Sequence, residues 1–442
     1  MAGLFQSIRG MKDILPADMA LWNRFELHFR HIMNQYGFEE IRLPLLEKTE
    51  LFTRGVGTGT DVVSKEMYSF VAPDNENLSL RPEGTASCVR AGIENGLLYH
   101  KIAKLAYMGP MFRYERPQKG RYRQFHQAGM EVFGVAGPEI EAELIFMMAR
   151  LFALLHLEGD LIVHVNALGG TETRAKHRAA LVAYFQQHQS QLDADSQVRL
   201  QVNPLRILDS KNPAMAALIS EAPSVLAYLN ETELSEFEAF CTLLKARGIS
   251  YVVNPQLVRG LDYYNGLVFE WITDKLGSQS AVCAGGRYDG LVGLLGGEPT
   301  PAIGLAIGLE RVIELMRQSI APQPREVDIY IATEGGEAKH AAMLLAETLR
   351  DEFPSTHILT EGGQGSLKAQ IKRAVDKGTD VLVTLGEREL TQKEIQIKHL
   401  KTKEQVNVAM VNASQYLGQF FARKQSTWSM QSEAQKKSKS KL

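Results

Sequence analysis

The chain has 442 residues, a formal net charge of -2 and a pI near 6.6, with 45% hydrophobic and 23% charged residues. That length predicts more than one domain, because a single core rarely grows past roughly 250–300 residues, and the near-neutral balance excludes a general cationic coat for nucleic acid. Three scattered cysteines, Cys88, Cys241 and Cys283, form no CxxC pair, which argues against a disulfide framework or a thiolate zinc site and for a reducing, cytoplasmic setting.

The N-terminal MAGLFQSIRGMKD lacks the apolar run of a signal peptide. From Ala17 to Tyr36, Leu21, Phe25, Phe29, Ile32 and Met33 recur at helical spacing and predict an amphipathic helix. YGFEEIRLPLLEKTELF then turns at Gly37 into a predicted strand ending near Pro44. Further β-type runs follow: KEMYSFV, LSLRPE, KLAYMGPMFRYE, RQFHQAGMEVFGV, LIVHVNA, VFEWI and AIGLAIG. Turns separate most of them, which predicts an α+β domain built on a mainly antiparallel sheet with flanking helices, over 1–166 and 250–320. AELIFMMARLFALLHL, interrupted by Glu143 and Arg150, is too short to span a bilayer and reads as a core helix.

Between 167 and 249 the pattern turns helical, in HRAALVAYFQQH, NPAMAALISEAPSVLAYLN and ETELSEFEAFCTLLKARG, and predicts a helical insertion. APQPRE, 321–326, is a predicted linker. Over 327–424 strands and helices alternate as β-α-β-α-β, which predicts a small α/β domain with a mainly parallel sheet. The Ser/Lys/Gln-rich stretch 425–442, ending KKSKSKL, lacks apolar content and is a predicted disordered basic tail.

No GxxxxGK[ST] and no GxGxxG opening a helix occurs, so a nucleotide would have to be bound in another way. FRYERPQKGRYRQFHQ offers one, with Arg113, Arg116, Lys119, Arg121 and Arg123 around a hairpin-like turn at Pro117 and Gly120. On the outgoing strand Phe125, Gln127, Gly129, Glu131 and Phe133 share a face, and Gly129 suggests a floor for a small flat ligand. A solvent-facing surface with salt bridges is the other reading of that hairpin. Arg311 falls in the first turn of a predicted helix starting near Leu309, where a cation opposes the helix dipole and an anion would reverse the sign; a sideways pairing to Glu310 or Glu270 stands beside it. In LRPEGTASCVR a helix is expected to be capped around Thr85, with Glu83 either favouring its N-terminus or holding an ammonium. VRGLDYYNG sets the Arg259 fork beside Tyr263 and Tyr264, and GGRYDG lets backbone approach something closely.

These stretches resemble the class II aminoacyl-tRNA synthetases, and the histidyl-tRNA synthetases among them. GFEEIRLPLLEKTELF resembles motif 1, FRYERPQKGRYRQFHQ motif 2 and GLAIGLERV motif 3; RPEGT, RGLDYYNG, HQAGMEVFG and GGRYDG resemble the stretches particular to the histidyl enzymes. The likeness runs from Ile8 through the α/β domain. It implies histidine–tRNA ligase activity: histidine and ATP give histidyl-adenylate and pyrophosphate, and the 3' end of tRNA(His) then takes the histidyl group as AMP leaves. It implies ATP with Mg²⁺, no dedicated protein metal site, and a homodimer through motif 1. By resemblance Arg113 and Arg259 carry catalysis, with Arg113 on the α-phosphate and Arg259 bridging it to the histidine carboxylate. Arg121 and Arg311 would hold the distal phosphates and Glu115 the adenine. Glu83, Gly84, Thr85 and Gln127 would surround the α-amino group, and Glu131, Tyr263, Tyr264 and Tyr288 the imidazole. Arg116 and Gln118 would face the tRNA acceptor end, and the α/β domain the anticodon. There Lys368, Lys372, Arg373 and Lys377 either meet phosphates or form a solvated helix face.

Overall fold

The computed structural model describes residues 4–210, 212–277, 280–319, 327–363 and 365–421; the predicted linker and basic tail lie outside them. The chain divides into two compact units, Met1–Pro322 and Gln323–Leu442.

In the first unit, α1 (Pro16–Gln35) opens on a proline, whose missing N–H costs nothing at the first helical position, and buries Leu21, Phe25, Phe29, Ile32 and Met33. The strand expected from Gly37 to Pro44 is broken. β1 (Glu39–Glu40) is two residues long, and beyond Pro44, which cannot donate to a ladder, β2 (Leu46–Lys48) joins a separate sheet. That sheet is completed by β3 (Tyr68–Val71) and β4 (Asn77–Leu80), in the order β2-β4-β3. Next come α2 (Thr85–Glu94), the hairpin β5 (Ala103–Phe112) and β6 (Gln124–Phe133), and the expected core helix α3 (Pro138–Leu154). They lead into β7 (Ile162–Ala167), α4 (Thr171–Gln187), α5 (Glu231–Ala246), β8 (Tyr251–Val253) and β9 (Asn265–Ile272). The unit closes with β10 (Ala281–Arg287), β11 (Ala302–Gly308) and α6 (Leu309–Ser319).

Eight strands form one sheet in the order β1-β5-β6-β11-β10-β9-β7-β8, antiparallel throughout except for the edge pairs β1–β5 and β7–β8. The period of two sends Ala128, Met130 and Val132 of β6 into a core under α1, α3 and α6, and leaves Gln127, Gly129 and Glu131 for the opposite face. α5 joins that same core through Phe237, Phe240, Cys241 and Leu244, whereas α4 packs Leu181 and Phe185 into a small core of its own with Leu200, Ile207 and Met215. β10 was not expected as a strand, because Gly285 and Gly286 weaken the β pattern. The close backbone approach read from GGRYDG is real but structural: a Cβ on Gly285 would come within 2.2 Å of the Gly304 carbonyl oxygen on β11.

In the second unit, β12 (Ile329–Thr333), α7 (Gly336–Glu352), β13 (Ile358–Leu359), α8 (Leu367–Asp376) and β14 (Val381–Leu385) follow the predicted alternation. β15 (Glu394–His399) and β16 (Gln405–Ala409) extend it, giving the order β13-β12-β14-β15-β16, with the first three parallel and the last two antiparallel. Arg373 and Lys377 reach Glu361 at 2.8 and 3.4 Å. All three cysteines are free and buried, and among the described residues no helix is long and apolar enough to cross a membrane.

Candidate active site

The sheet face opposite α1 and α3 carries a cavity of about 230 Å³ lined from several separate parts of the chain. Glu83 and Thr85 reach it from the start of α2, Arg113, Glu115 and Arg121 from the β5–β6 connection, and Gln127 from β6. Arg259, Tyr263 and Tyr264 enter from the loop before β9, Glu270 from β9 itself, and Arg311 from the first turn of α6.

Four guanidinium groups therefore converge across about two hundred positions of sequence, in a cavity that Glu83, Glu115, Glu270 and Glu310 also line. Arg113 donates from Nε to the Pro82 carbonyl at 2.9 Å, lies over the Phe125 ring and stands 3.9 Å from Glu115. Arg121 is paired with Glu115 and, at 3.5 Å, with Glu66. Arg311 donates from Nε to the Gly120 carbonyl at 3.1 Å and from Nη1 to that of Ala281, and the charges of Glu270 and Glu310, the acids considered from sequence, also act on it. Burial, and then the charges of Arg113 and Arg121, push the Arg311 guanidinium down to about 10. A cluster of buried like charges of this kind is relieved by a polyanion. Arg259 is paired with Glu270 and sits 5.3 Å from the centre of the Tyr264 ring; its Nε is buried with no partner within the protein. Gln127 Oε1 is likewise buried and unpartnered, an acceptor left open beside Glu83 and Thr85.

Glu83 caps α2. Its carboxylate accepts from the backbone N–H of Thr85 at 2.8 Å and of Ala86 at 2.9 Å, while Gly84 occupies the N-cap position. A carboxylate there satisfies two orphan donors at once and meets the positive end of the helix. Burial still raises its pKa, with those two N–H groups and Arg113 opposing. The Tyr263 hydroxyl lies 3.4 Å from the same carboxylate.

Glu131 and Tyr288 lie behind the wall of the cavity rather than in it. Glu131 is fully buried, and its Oε1 accepts from Thr85 Oγ1 at 2.8 Å and from the Tyr107 hydroxyl at 2.9 Å; its Oε2 accepts from Tyr288. Gly304, directly across on β11, makes room for that carboxylate, since a Cβ there would fall 1.6 Å from Oε2. The open floor expected at Gly129 is absent. Tyr107, the cross-strand partner of Gly129 on β5, fills the space: a Cβ on Gly129 would meet its ring at 2.2 Å, and one on Gly84 would meet it at 2.1 Å. The sequence signal was two glycines and a tyrosine in three separate segments, which becomes one feature only when strand register is known. Gly129→Ala is expected to destabilise the fold by about 1–3 kcal/mol through overpacking against this ring, read as a lower urea midpoint with an unchanged m-value.

Of the remaining residues singled out in the hairpin, Arg116 and Gln118 are exposed and do not line the cavity. Gln118 pairs with Arg121 through two backbone hydrogen bonds of 3.0 and 2.9 Å that close the turn. Lys119 reaches Glu314, and Arg123 stacks on Tyr114 with 3.7 Å to the ring centre. Two of the five cations thus enter the cavity; the other three belong to its rim and support.

Residues 10–312 match the family described as histidyl-tRNA synthetase, and residues 327–419 match the anticodon binding domain family. The chain belongs to the histidyl-tRNA synthetase family. It is a class II aminoacyl-tRNA ligase that joins histidine to tRNA at the expense of ATP. An apo histidyl-tRNA synthetase from S. aureus is 32% identical, with 93% of this chain and 99% of that one covered at a TM-score of 0.78. A histidyl-tRNA synthetase from Nostoc sp. PCC 7120 is 19% identical over 95% of this chain and 100% of that one, TM-score 0.67. A protein from Bacillus halodurans described as an ATP phosphoribosyltransferase regulatory subunit/histidyl-tRNA synthetase is 22% identical over 87% and 99%, TM-score 0.62. The last two share the fold.

Neither the residue pattern nor the family resemblance brought out Tyr107, Glu66 or Gly304, and the pattern considered Glu270 only as a partner for Arg311. Glu270 pairs with Arg259, being placed on β9 opposite Ala284 and facing the cavity. Among the described residues no group of three or more His, Cys, Asp or Glu side chains could hold a metal ion.

Proposed function

We propose that this cavity forms histidyl-adenylate, with the roles assigned as follows. The observation that carries the reading is the convergence of Arg113, Arg121, Arg259 and Arg311 on one cavity beside two unpartnered polar atoms, Arg259 Nε and Gln127 Oε1. ATP binds with its phosphates among the guanidinium groups, Arg113 on the α-phosphate and Arg121 and Arg311 on the distal ones. Glu115, already tied to Arg121, lies toward the adenine. Mg²⁺ enters with the triphosphate as part of that substrate. Glu83, Thr85 and Gln127 receive the α-ammonium, with the backbone at Gly84 alongside. Tyr263 and Tyr264 face the imidazole, and Glu131, behind the cavity wall and held by Tyr288, fixes the Thr85 hydroxyl.

Arg259 holds the histidine carboxylate against the α-phosphorus, so that the carboxylate oxygen attacks and pyrophosphate leaves. Its fork can bridge two anions where a point charge cannot. Charge developing on the phosphoryl oxygens is met by cations already in place, which is the main source of rate in phosphoryl chemistry of this type. Arg116 and Gln118, exposed at the hairpin turn, meet the acceptor end of tRNA(His), and the second unit meets its anticodon. A second copy of the chain packs on the motif 1 region around Pro44, and the enzyme works in the cytoplasm. The domain division proposed is a catalytic part, 1–166 and 250–320, interrupted by a helical insertion, 167–249, and followed by the anticodon part, 327–424.

The test is ATP–pyrophosphate exchange across a panel of amino acids. Histidine alone is expected to support exchange, with apolar isosteres rejected by about 10⁴-fold because they leave buried polar groups unpaired. Exchange with proline, threonine or glycine, or none with histidine, would overturn the reading.

A further inference from the structure

The loop that carries Arg259, Tyr263 and Tyr264 is a partition. Arg259, Leu261 and Tyr264 wall the main cavity on one side and a second, smaller cavity of about 70 Å³ on the other. The side chains beyond that second cavity come from the helical segment that follows β7. Arg174, on α4, donates from Nη1 to the Tyr264 carbonyl at 3.2 Å. Asn203 donates from Nδ2 to Asp262 Oδ1 at 3.2 Å. Arg206, 3.4 Å from Asp61, lies so close to the loop that a Cβ on Gly260 would stand 2.9 Å from its Nη1. The loop has no regular secondary structure between β8 and β9, and a further tie comes from the backbone, where Asp262 N–H donates to the Val56 carbonyl at 3.1 Å.

We propose that Arg174 is a positioning residue for histidine, setting Tyr264 and Arg259 from behind, with Asn203 and Arg206 as its companions. The hydrogen bond from a guanidinium to the Tyr264 carbonyl fixes the backbone at the residue whose side chain faces the substrate, and small displacements of such a group weaken binding strongly. The inference rests on the functional reading above. It also separates the two substrates. Arg113, Arg121 and Arg311 are carried by the β5–β6 connection and α6, outside the loop, so loosening the loop affects histidine before it affects ATP.

The experiment is exchange kinetics on the full chain for Arg174→Ala, Arg174→Lys, Asn203→Ala and, as control, Lys176→Ala, whose side chain is exposed and paired with Glu172 in the preceding turn. Arg174→Ala is expected to raise KM for histidine about tenfold with KM for ATP within about twofold, as loss of one charge-assisted hydrogen bond in a positioning element predicts. Arg174→Lys, which can still donate to the carbonyl, recovers most of that loss. Asn203→Ala moves the same parameter in the same direction by less, and Lys176→Ala leaves it unchanged. An unchanged histidine KM in both Arg174→Ala and Asn203→Ala overturns the inference, as does a parallel rise in both substrates' KM that Lys does not rescue. Absence of exchange in the unaltered chain would instead remove the functional reading and this inference together, so the two failures are distinct.

Discussion

Arg259→Ala is expected to lower the rate of histidine-dependent pyrophosphate exchange by about 10²–10³-fold, the scale on which single preorganised charge-stabilising groups act. The structure supplies two reasons beyond the loss of one cation. The Arg259 guanidinium is the partner of Glu270, which lines the same cavity. Without it a carboxylate would face the incoming triphosphate and the substrate carboxylate unpaired, so repulsion is added to lost attraction. The second reason is geometric. With one arm on Glu270 and Nε buried without a protein partner, the fork has a free edge for a further anion. Lysine presents a single point and cannot occupy both positions, so Arg259→Lys should stay within about tenfold of the alanine variant rather than of the parent. An alanine variant that retains exchange within about tenfold of the parent would contradict the role given to this residue.

Glu131→Gln should separate the two jobs of that carboxyl. Burial pushes the Glu131 carboxyl up to about 8, with hydroxyl hydrogen bonds from Tyr288, Thr85 and Tyr107 acting the other way. An unfolded glutamate titrates near 4.5. Between those two values the folded chain retains a proton that the unfolded chain has lost, so this group makes the fold less stable as pH rises from about 4.5 to about 8, with no further change above. Glutamine keeps the shape and cannot titrate. The variant should therefore gain stability relative to the parent across that window, seen as a growing difference in urea midpoint. For substrate, the expectation runs the other way. The ionised carboxyl accepts from Thr85, Tyr107 and Tyr288 together, whereas the neutral acid turns one oxygen into a donor and loosens the Thr85 hydroxyl at the cavity, so the parent's kcat/KM for histidine should climb toward about pH 8. The amide variant should lose that rise and bind histidine about a hundredfold less well. Equal discrimination by parent and amide variant across the amino-acid panel would sink the assignment. Alanine is a poorer probe, because it strands three buried hydroxyls and confuses stability with recognition.

Much of this site could be read from the chain because its signals are local. The period of two through Phe125, Gln127, Glu131 and Phe133, the arginine in the first turn after GLAIG, and the Arg-Gly-Leu-Asp-Tyr-Tyr run each announce polar groups where a core face would otherwise be expected. What stayed hidden depends on register between distant strands. Tyr107 looks like any aromatic in an apolar run until β5 is set against β6 so that it meets Gly129. Gly304 looks like a small residue in a weak strand until β11 is set against β6 so that it meets Glu131. The cap of α2 lies where it was expected, around Thr85, and of the two alternatives left open for Glu83 the structure shows service to the helix N-terminus. A threonine is the commoner capping residue, but here its hydroxyl is committed to Glu131, and the neighbouring carboxylate serves both open N–H groups.

The tyrosine packed on Gly84 and Gly129 has a consequence for redesign. The Tyr107 ring leaves no room for a Cβ at either position, so neither glycine can be exchanged while that ring remains. Repacking the region behind the cavity wall therefore calls for simultaneous replacement at three sites on separate segments. Laboratory evolution by single steps should stall there and find its variants at Gln127 or Tyr264 instead.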